Sequence, residues 1–524
     1  MAAAKSAWLC LERFLVMVLG WAAACALAEQ QPIRPVRPNF LIIMADDMGF
    51  ADLGCYGGEI LTPNLDRLAA HGLRFTQFYN TSRCAPTRAS LLTGLYAHQA
   101  GIGCDTNDLG KPGYRGWLGE NCRTIAECLR EAGYRTFITG KWHVGIERAH
   151  WPLQRGFDCF YGSEHGGGHQ FRMLPRRHLI LDEEVISPEP GWFSTTAFTD
   201  YAVRFIEECA DRKQPFFGYV AYFAPHYPLQ ALSADIDRYV GRYRQGWKAV
   251  REARYRRQLE LGLIRKDWAL SPSDPSVPDW AGVENSTEMD LRMAVYAAMV
   301  DEIDQGVGRL VQTLDRRQML DNTLLIFLSD NGACPTGGPL GTAGMGRGNP
   351  RAKTGTSDSY VAYGEAWANV SNTPFRRYKA EVYEGGIAAP LIVHWPAVIQ
   401  DGGALRHQVG HVIDLLPTCL HAAGCEHPAA RGGSSALAPE GLSLLPAFQD
   451  RPLQRGPLFW EHLGRRAVRE GRWKLVAPRG APWELYDLEA DRTELHDLAA
   501  QHPVLVRRLA AAYADWAIRC HVEP

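Results

Sequence analysis

Four short apolar runs, each followed at once by polar residues, constrain the fold of this 524-residue chain more than any other feature. The runs occupy residues 39–45, 134–139, 216–223 and 323–329. Each has the length of a buried strand, and helical patterns separate them. This alternation predicts an α/β fold with a mostly parallel central sheet flanked by helices.

Amphipathic patterns predict the helices between these runs. The segment between Thr62 and Gly72 begins with a proline, which is typical of a helix that starts after one residue and ends before the other. A second helix is predicted between Thr124 and Gly133 in the same way. A longer helix, with apolar residues at a period of 3.6, is predicted over residues 291–314.

Polar side chains follow all four runs at their carboxyl ends. Ligands bind outside the carboxyl ends of strands in open α/β sheets, so these side chains predict one shared site. A single such ending is weak evidence, since aspartate and asparagine also close strands as turn formers, but four together favour a site. The candidates are Asp46, Asp47, Lys141, His143, His226, Asp330 and Asn331.

The donor set indicates which ion and which substrate would fit. The three aspartates and Asn331 offer oxygen ligands, which suit a hard cation such as Ca²⁺ or Mg²⁺ and not zinc. The lysine and the histidines, together with Arg88, add positive charge or proton donors. A cation with these groups would bind a tetrahedral oxyanion and stabilise charge on it and on a leaving group.

The segment "RCAPTRASLLTG" adds a cysteine to a predicted helix start. Pro86 has the φ angle favoured at a first helical position, and Gly94 can end the helix. Arg88 then lies one turn into a helix whose N-terminus suits an anion. The thiolate of Cys84 would be a poor ligand for a hard cation, a conflict that disappears if this side chain carries oxygen when it acts.

Several motifs in this chain are similar to those of the type I, formylglycine-dependent sulfatases of the alkaline-phosphatase-like superfamily. "CAPTR" matches the family's C-x-P-S/T-R signature, and "GYRTFITGKWH" resembles its second signature, with Thr139 as a mild departure. "ADDMGFADLGCYGG", "APHYP", "SDNGA" and "NTPFRRYKAEVYEGGI" match further family segments in order. The resemblance covers residues 38–515 and looks closest to bacterial arylsulfatases.

The resemblance implies a modified cysteine and one Ca²⁺ ion. A separate maturation enzyme would oxidise Cys84 to formylglycine (3-oxoalanine), an aldehyde whose hydrate supplies the missing oxygen. The positions that match the family's Ca²⁺ ligands are Asp46, Asp47, Asp330 and Asn331, with one oxygen of the modified Cys84.

The resemblance also implies a division of catalytic roles. Arg88 and Lys141 would hold the hydrate and stabilise its ionised form, while one hydrate oxygen attacks the sulfur. His226 and Lys379 would help the alcohol to leave; the family pattern places this lysine just before "EVYEGG" and so prefers it to the two preceding arginines. His143 would then take the proton of the second hydroxyl, and sulfate would be expelled as the aldehyde forms again.

Three functions remain open at this point. The first is a Ca²⁺-dependent sulfatase that cleaves sulfate monoesters, with an aryl sulfate or a sulfated sugar as substrate. The second is a phosphonate monoester or phosphodiester hydrolase of the same superfamily. The third is an inactive protein that binds sulfated glycans. The metal ligands and His226 in "APHYP" favour the sulfatase, and every matched catalytic position is filled.

The chain divides into three predicted segments. Residues 1–28 contain an apolar stretch that ends in Ala-Leu-Ala, which predicts a cleaved secretory signal and an exported, periplasmic or secreted protein; an uncleaved anchor is the alternative. Residues 29–440 form the predicted catalytic domain. Residues 441–524 form a predicted C-terminal subdomain, which the family resemblance implies to be a small antiparallel sheet of four strands with a terminal helix.

Composition and charge narrow the list of partners. The formal net charge of −2 argues against nucleic-acid binding through bulk charge, and no segment after the signal is apolar for long enough to cross a bilayer. Cys419 and Cys425 are candidates for a short-loop disulfide. The basic stretch 238–257 is either a solvated helix face or a docking site for a sulfated polymer, and the Gly-rich segment 337–360 predicts a mobile loop near the cleft.

Overall fold

The computed structural model describes residues 37–431 and 435–523, and the chain from Pro38 onward clusters as one compact unit. The predicted signal, residues 1–28, lies outside the described residues. No helix within the described ranges is both long enough and apolar enough to span a membrane.

One mixed sheet of eleven strands runs through the molecule in the order β12-β2-β11-β8-β1-β7-β3-β4-β5-β6, with β13 also paired to β2. A two-stranded ribbon, β9 and β10, lies outside it. The strands are β1 (Asn39–Ala45), β2 (Leu73–Tyr79), β3 (Arg135–Lys141), β4 (Cys159–Ser163), β5 (Leu179–Leu181), β6 (Glu184–Ile186), β7 (Phe216–Ala221), β8 (Thr323–Ser329), β9 (Thr342–Ala343), β10 (Val361–Ala362), β11 (Ala388–His394), β12 (Leu405–Arg406) and β13 (Gly410–His411).

The five central strands, β8-β1-β7-β3-β4, are parallel, which confirms the predicted fold class. Ile42 of β1 lies between Tyr219 of β7 and Ile326 of β8. Alternate residues of β1 belong to two different buried clusters, with Leu41 in one and Ile42 in the other, so both faces of the sheet are covered. The carboxyl ends of these strands therefore meet at one edge.

Helices cover the two faces of the sheet. The α-helices are α1 (Pro63–His71), α2 (Cys84–Thr93), α3 (Ile125–Glu131), α4 (Ser194–Asp211), α5 (Ser233–Asp237), α6 (Gly246–Glu260), α7 (Ser286–Arg316), α8 (Gly364–Ser371), α9 (Glu384–Ile387), α10 (Leu415–Ala423), α11 (Leu445–Phe448) and α12 (Pro503–Arg519). Short 3₁₀ helices occupy Gly54–Tyr56, Arg148–His150, Pro152–Arg155, Trp280–Gly282, Leu320–Asn322, Val412–Asp414 and Pro428–Arg431.

The predicted helix boundaries are close to those observed, with one correction. Thr124 and Glu127 form a reciprocal capping box at the start of α3. Gly94 ends α2 in the left-handed conformation, as predicted. However, α2 begins at Cys84, so Pro86 is its third residue and not its first. The cysteine is therefore part of the first helical turn.

The C-terminal part of the described chain contains a separate antiparallel sheet of four strands, as predicted. Its order is β14 (Leu458–His462), β15 (Arg465–Glu470), β16 (Trp473–Ala477) and β17 (Glu484–Asp487). The terminal helix α12 packs against β15 and β16.

A buried charge network joins this small sheet to the helix α9. Lys474 of β16 lies 3.0 Å from Glu384 and 2.8 Å from Glu494, measured from its Nζ to a carboxylate oxygen of each. Arg492 lies 3.1 Å from the other oxygen of Glu384. All four side chains are buried, and Glu384 is the first residue of α9.

Two predictions need correction: the short-loop disulfide and the solvated face of the basic stretch. Cys419 and Cys425 form no disulfide in the described structure. Cys419 is buried inside α10, whereas Cys425 follows the glycine that ends this helix and turns the chain away. The basic stretch 238–257 is not simply a solvated face, because Arg251 and Arg254 are buried, and Arg254 pairs with Asp52 at 2.6 Å.

Candidate active site

The predicted acidic residues lie side by side at the carboxyl edge of the central sheet. β1 and β8 pair in register up to Ala45 and Ser329. Asp46 and Asp330 are the next residues, so they lie side by side just beyond the ends of these neighbouring strands. The amide of Asp47 donates to Asp330 Oδ1 at 3.1 Å, and Asn331 Nδ2 donates to Asp47 Oδ1 at 2.7 Å. All four side chains are fully buried.

Helix α2 brings the cysteine and its arginine to the same edge. Cys84 Sγ and one carboxylate oxygen each of Asp46 and Asp330 lie within 4.8 Å of one another. Arg88 is fully buried one turn further on, where its Nη2 lies 3.0 Å from Asp330 Oδ2 and its Nη1 donates to the Lys141 carbonyl at 3.1 Å. The guanidinium therefore ties the helix to the ends of both β8 and β3.

Two lysines neutralise the remaining carboxylates. Lys141, the last residue of β3, places its Nζ 2.7 Å from Asp46 Oδ2. Lys379 comes from the loop before α9 and places its Nζ 2.5 Å from Asp47 Oδ1. His226 Nε2 lies 3.4 Å from the other oxygen of Asp47. The sequence predicted this convergence of lysine, histidine and aspartate residues.

Three buried oxygen atoms in this cluster have no hydrogen-bond partner among the described residues: Asp46 Oδ1, Asp47 Oδ2 and Asn331 Oδ1. Burial also raises the pKa of Asp46 well above its ordinary value, despite the nearby Lys141. Orphaned carboxylate and amide oxygens are the ligands that hard cations such as Ca²⁺ prefer. These residues therefore fit a bound divalent cation.

The site favours negative charge at the position of Cys84. Burial alone would raise the pKa of this thiol, but the positive charges of Lys141 and Lys379, with His143, lower it to about 5. The side chain at position 84 thus faces an electropositive cavity at the N-terminus of a helix. An oxygen anion at this position would gain the same stabilisation.

The backbone is strained at two of the predicted residues. Asp47 has a φ of 69° and His143 a φ of 57°, both in the left-handed region that non-glycine residues rarely adopt. Strain of this kind is often found at functional sites, where surrounding contacts hold it in place. The absence of a side chain at Gly166 allows the neighbouring loop to approach, since a Cβ there would lie 2.2 Å from His143 Nε2.

Asp105 is a site residue that the sequence analysis did not single out. Its Oδ1 lies 3.0 Å from His143 Nε2, and its Oδ2 lies 3.3 Å from Arg83 Nη2. Although Asp105 is partly buried, His143 and Arg83 hold the pKa of its carboxyl well below the ordinary range. It sits in a loop without periodic pattern or motif, so no local signal identifies it.

A cleft of about 570 Å³ opens over these residues. Cys84, His143, His226 and Lys379 line it, so four of the predicted catalytic residues face one solvent-accessible space. The other two, Arg88 and Lys141, are fully buried. The Gly-rich segment 337–360 contributes Arg347 and Tyr360 to its wall, which confirms the predicted location of this loop near the cleft.

The fold, and the buried cluster of acidic and basic residues at the sheet edge, are those of an alkaline-phosphatase-like sulfuric ester hydrolase. More narrowly, the chain belongs to the sulfatase family: the model of the family named Sulfatase matches residues 38–425, and the model named N-sulphoglucosamine sulphohydrolase, C-terminal, matches residues 376–510. The prediction of a sulfatase from the sequence motifs is therefore confirmed.

Individual relatives agree with this assignment. An uncharacterized sulfatase of Schizosaccharomyces pombe is 34% identical over 526 residues, covering 92% of this chain and 94% of the relative. The arylsulfatase of Klebsiella aerogenes is 34% identical over 426 residues, covering 78% and 91%. The crystal structure of Ps i-CgsB bound to k-i-k-neocarrahexaose superposes with a TM-score of 0.69 at 26% identity, covering 92% and 93%.

Proposed function

We propose that the mature enzyme hydrolyses sulfate monoesters with a formylglycine hydrate at position 84 and one Ca²⁺ ion. The observation that carries this proposal is the position of Cys84. Its Sγ lies within 4.8 Å of carboxylate oxygens of Asp46 and Asp330, in a cavity whose positive charges favour an anion. A hydrate oxygen would replace this sulfur. A thiolate would not suit a hard cation at this distance, whereas an oxygen would.

The Ca²⁺ ion would be held by Asp46, Asp47, Asp330 and Asn331. The three orphaned oxygens of this cluster support the assignment, since none of them accepts a hydrogen bond from the described residues. When bound, the cation supplies positive charge to the sulfate oxygens and to the oxygen at position 84.

Arg88 and Lys141 would hold the side chain at position 84 in its reactive orientation. Arg88 is immobilised by Asp330 and by the Lys141 carbonyl, so its charge is fixed before substrate arrives. The hydrate of the oxidised side chain would supply two hydroxyls, one to attack sulfur and the other to allow the aldehyde to form again. Preorganised charges of this kind stabilise a developing anion without reorganisation.

Lys379 and His226 would assist the leaving alcohol in different ways. Although burial opposes it, the charge of Asp47 raises the pKa of Lys379 well above its ordinary value, so Lys379 carries a proton to donate. Burial and the nearby Lys379 lower the pKa of His226 to about 3, despite the charge of Asp47. The Nδ1 of His226 faces the Tyr227 carbonyl at 2.5 Å, so the neutral ring carries its proton there. We therefore assign the proton transfer to Lys379 and an orienting contact to His226.

His143 would accept the proton of the second hydroxyl at position 84. Its Nε2 lies 3.0 Å from Asp105, which requires a proton on Nε2, and its buried Nδ1 has no partner among the described residues. The Nδ1 lone pair is therefore available as a base. Asp105 acts as a positioning residue that fixes this tautomer.

We extend the proposal to substrate, maturation and location. The substrate would be an aryl sulfate or a sulfated sugar, as the names of two kinds of relative suggest, the arylsulfatase of Klebsiella aerogenes and the N-acetylgalactosamine-6-sulfatase of Sus scrofa. A formylglycine-generating enzyme would mature Cys84, and a signal at residues 1–28 would direct export to the periplasm or the medium. Residues 29–440 would carry the reaction and residues 441–524 would form the subdomain.

The mass of the tryptic peptide that contains Cys84 tests the proposal first. Protein from the native host should show a loss of about 18 Da relative to cysteine, the difference between a thiol and an aldehyde. The same preparation should release inorganic sulfate from 4-nitrophenyl sulfate, and a Cys84→Ser variant should not turn over repeatedly. Sustained turnover by an unmodified thiol, or by the serine variant, would contradict the assigned nucleophile.

A further inference from the structure

A second cavity of about 580 Å³ opens beside the catalytic cleft. Arg177 and Arg347 line both spaces, so they stand at the passage from one to the other. Arg172 also lines the second cavity, and Asp358 is the carboxylate that lines it. Arginines thus outnumber acids along the wall beyond the catalytic residues.

Arg177 is an arginine without a counterion. Its Nη1 is buried and has no hydrogen-bond partner, and no ion pair among the described residues includes it. Two arginines closer to Cys84 are paired by contrast: Arg83 with Asp105 and Arg88 with Asp330. Burial and the charge of Arg347 lower the pKa of Arg177, despite the nearby Tyr360. The side chain as a whole is half-buried, so it can reach a ligand in the cavity, and a negatively charged ligand would give the buried Nη1 the partner that it lacks.

Arg347, the other arginine that lines both spaces, is exposed and also lacks a carboxylate partner in the described part of the chain. It belongs to the Gly-rich segment between β9 and β10, and its Nη1 donates at 3.4 Å to the hydroxyl of Tyr360, a neutral partner. No carboxylate among the described residues forms an ion pair with Arg347 either. Two guanidinium groups without a carboxylate partner in the described structure therefore line the same space, and their positive charge attracts an anion from solvent.

The distance to the catalytic residues sets which part of a substrate would reach these arginines. A Cβ placed on Gly167 would lie 3.0 Å from Arg177 Nη1 and 3.7 Å from His226 Cε1, so both side chains approach this glycine closely. In the proposed function, His226 and Lys379 lie on the side of the leaving alcohol. The alcohol part of the substrate, and not the sulfate under attack, would extend past His226 towards Arg177.

We propose that Arg177 and Arg347 form a subsite for a second anionic group, a sulfate or a carboxylate, on the alcohol part of the substrate. The preferred substrate would then be a sulfated sugar that carries at least two negative charges, in preference to a singly charged aryl sulfate. This inference rests on the proposed sulfatase function of the adjoining cleft. The planar guanidinium fork suits both oxyanions, since it can donate two parallel hydrogen bonds to either.

Binding to a Cys84→Ala variant tests the subsite without requiring turnover. Three chondroitin-type disaccharides serve as probes in calorimetry: a monosulfated methyl uronate ester, the same disaccharide with a free uronate, and a disulfated methyl ester. The two doubly charged probes should bind more tightly than the first. Arg177→Ala or Arg347→Ala should weaken the preferred doubly charged probe about tenfold or more, as expected for a lost charge-assisted contact, and leave the singly charged probe within about twofold.

Matched variants separate a binding effect from a folding effect. Arg176→Ala removes the same charge from the neighbouring position, which lines neither cavity, and should leave all three affinities unchanged. Arg177→Lys should recover part of the lost affinity at an unchanged melting temperature. Equal binding of all three probes, or equal weakening of all three by the arginine variants, would overturn the subsite.

Measurements of sulfate release distinguish a failure of the subsite from a failure of the proposed sulfatase reaction. If the mature wild type releases sulfate from aryl esters but Arg177→Ala lowers kcat/KM equally for singly and doubly charged esters, the subsite is wrong and the sulfatase assignment stands. If the Cys84→Ala variant discriminates between the probes but the mature wild type releases sulfate from none of the esters, the subsite stands and the proposed reaction is wrong.

Discussion

Removal of divalent cations should lower the thermal stability of the protein as well as its activity. Asp46 Oδ1, Asp47 Oδ2 and Asn331 Oδ1 are buried acceptors that lack a partner among the described residues. Each such unsatisfied group costs about 1–3 kcal/mol, so three of them would destabilise the cation-free protein by roughly 3–9 kcal/mol in total. A bound cation would relieve this penalty in the folded state alone.

The size of the effect follows from binding linkage. A ligand present at 100 times its Kd stabilises the folded state by about 2.7 kcal/mol. An unfolding entropy of about 2.1 cal/mol/K per residue gives about 1 kcal/mol/K for the compact unit Pro38–Pro524. Chelation from that concentration should therefore lower the melting temperature by about 3 °C.

Differential scanning calorimetry before and after chelation measures this shift, with the metal content followed in parallel. Ca²⁺ should restore both the melting temperature and sulfate release, and should do so better than Zn²⁺. Asp46→Asn should lose most of the response, whereas Asp200→Asn, a change at an exposed carboxylate that pairs with Arg309, should keep it. An unchanged melting temperature after complete metal loss, or better recovery with Zn²⁺, would refute the cation site.

Three further perturbations test individual residues. Lys379→Ala should lower kcat for sugar sulfates by about 10²–10⁴-fold, because the alkoxide loses its proton donor; steady-state kinetics should show a much smaller loss with 4-nitrophenyl sulfate, and an equal loss would contradict the role. His143→Ala should slow sulfate release more than alcohol release, giving a stoichiometric burst of alcohol in stopped flow; steady release without a burst would count against it. Glu384→Gln should lower the free energy of unfolding by about 3–5 kcal/mol at neutral pH, because it breaks a buried ion-pair network. Although burial opposes it, Lys474 and Arg492 lower the pKa of Glu384 to about 2, so its stabilising contribution is complete above its unfolded pKa of about 4.3 and lost as the pH falls towards 2. Urea denaturation at several pH values should show the difference between wild type and variant shrinking in acid; a constant difference would contradict this account.

The acidic cluster could be predicted because it depends on local patterns and one rule of topology. Asp46, Asp47, Asp330 and Asn331 each follow a buried run directly, and parallel strands bring their carboxyl ends together. The family motifs then distinguished a sulfatase from other users of such a cluster. The ends of the strands were predicted less accurately. The apolar run ends at Thr139, but β3 continues to Lys141 because Lys141 pairs with Ser163 of β4.

Contacts between distant segments escaped prediction. Asp105 orients His143 only because two irregular loops meet above the sheet edge, and neither loop carries a periodic pattern. The predicted disulfide between Cys419 and Cys425 was wrong because the spacing of two cysteines in the sequence does not say where their side chains point. Cys419 lies inside the helix and Cys425 lies beyond its end. Lys379 needed the family pattern, since its contact with Asp47 joins positions far apart in the chain.

The contacts of the Lys379 loop explain how the C-terminal sheet can influence catalysis. The amide of Lys379 donates to the Ala333 carbonyl at 3.0 Å, and the amide of Ala380 donates to the Ser82 carbonyl at 2.8 Å. The loop is thereby fixed to the segments that carry Asp330 and Cys84.

A few residues later the same chain enters α9 at Glu384, whose carboxylate is held by Lys474 of the small sheet and by Arg492. Lys379, the proposed proton donor, therefore lies in a loop that is anchored on one side to the edge of the central sheet and on the other to the C-terminal sheet. Since a displacement of about 1 Å can cost a large factor in rate, loosening Glu384 should reduce kcat as well as stability. The C-terminal sheet then acts as a support for the catalytic loop, although none of its strands contributes one of the assigned catalytic residues.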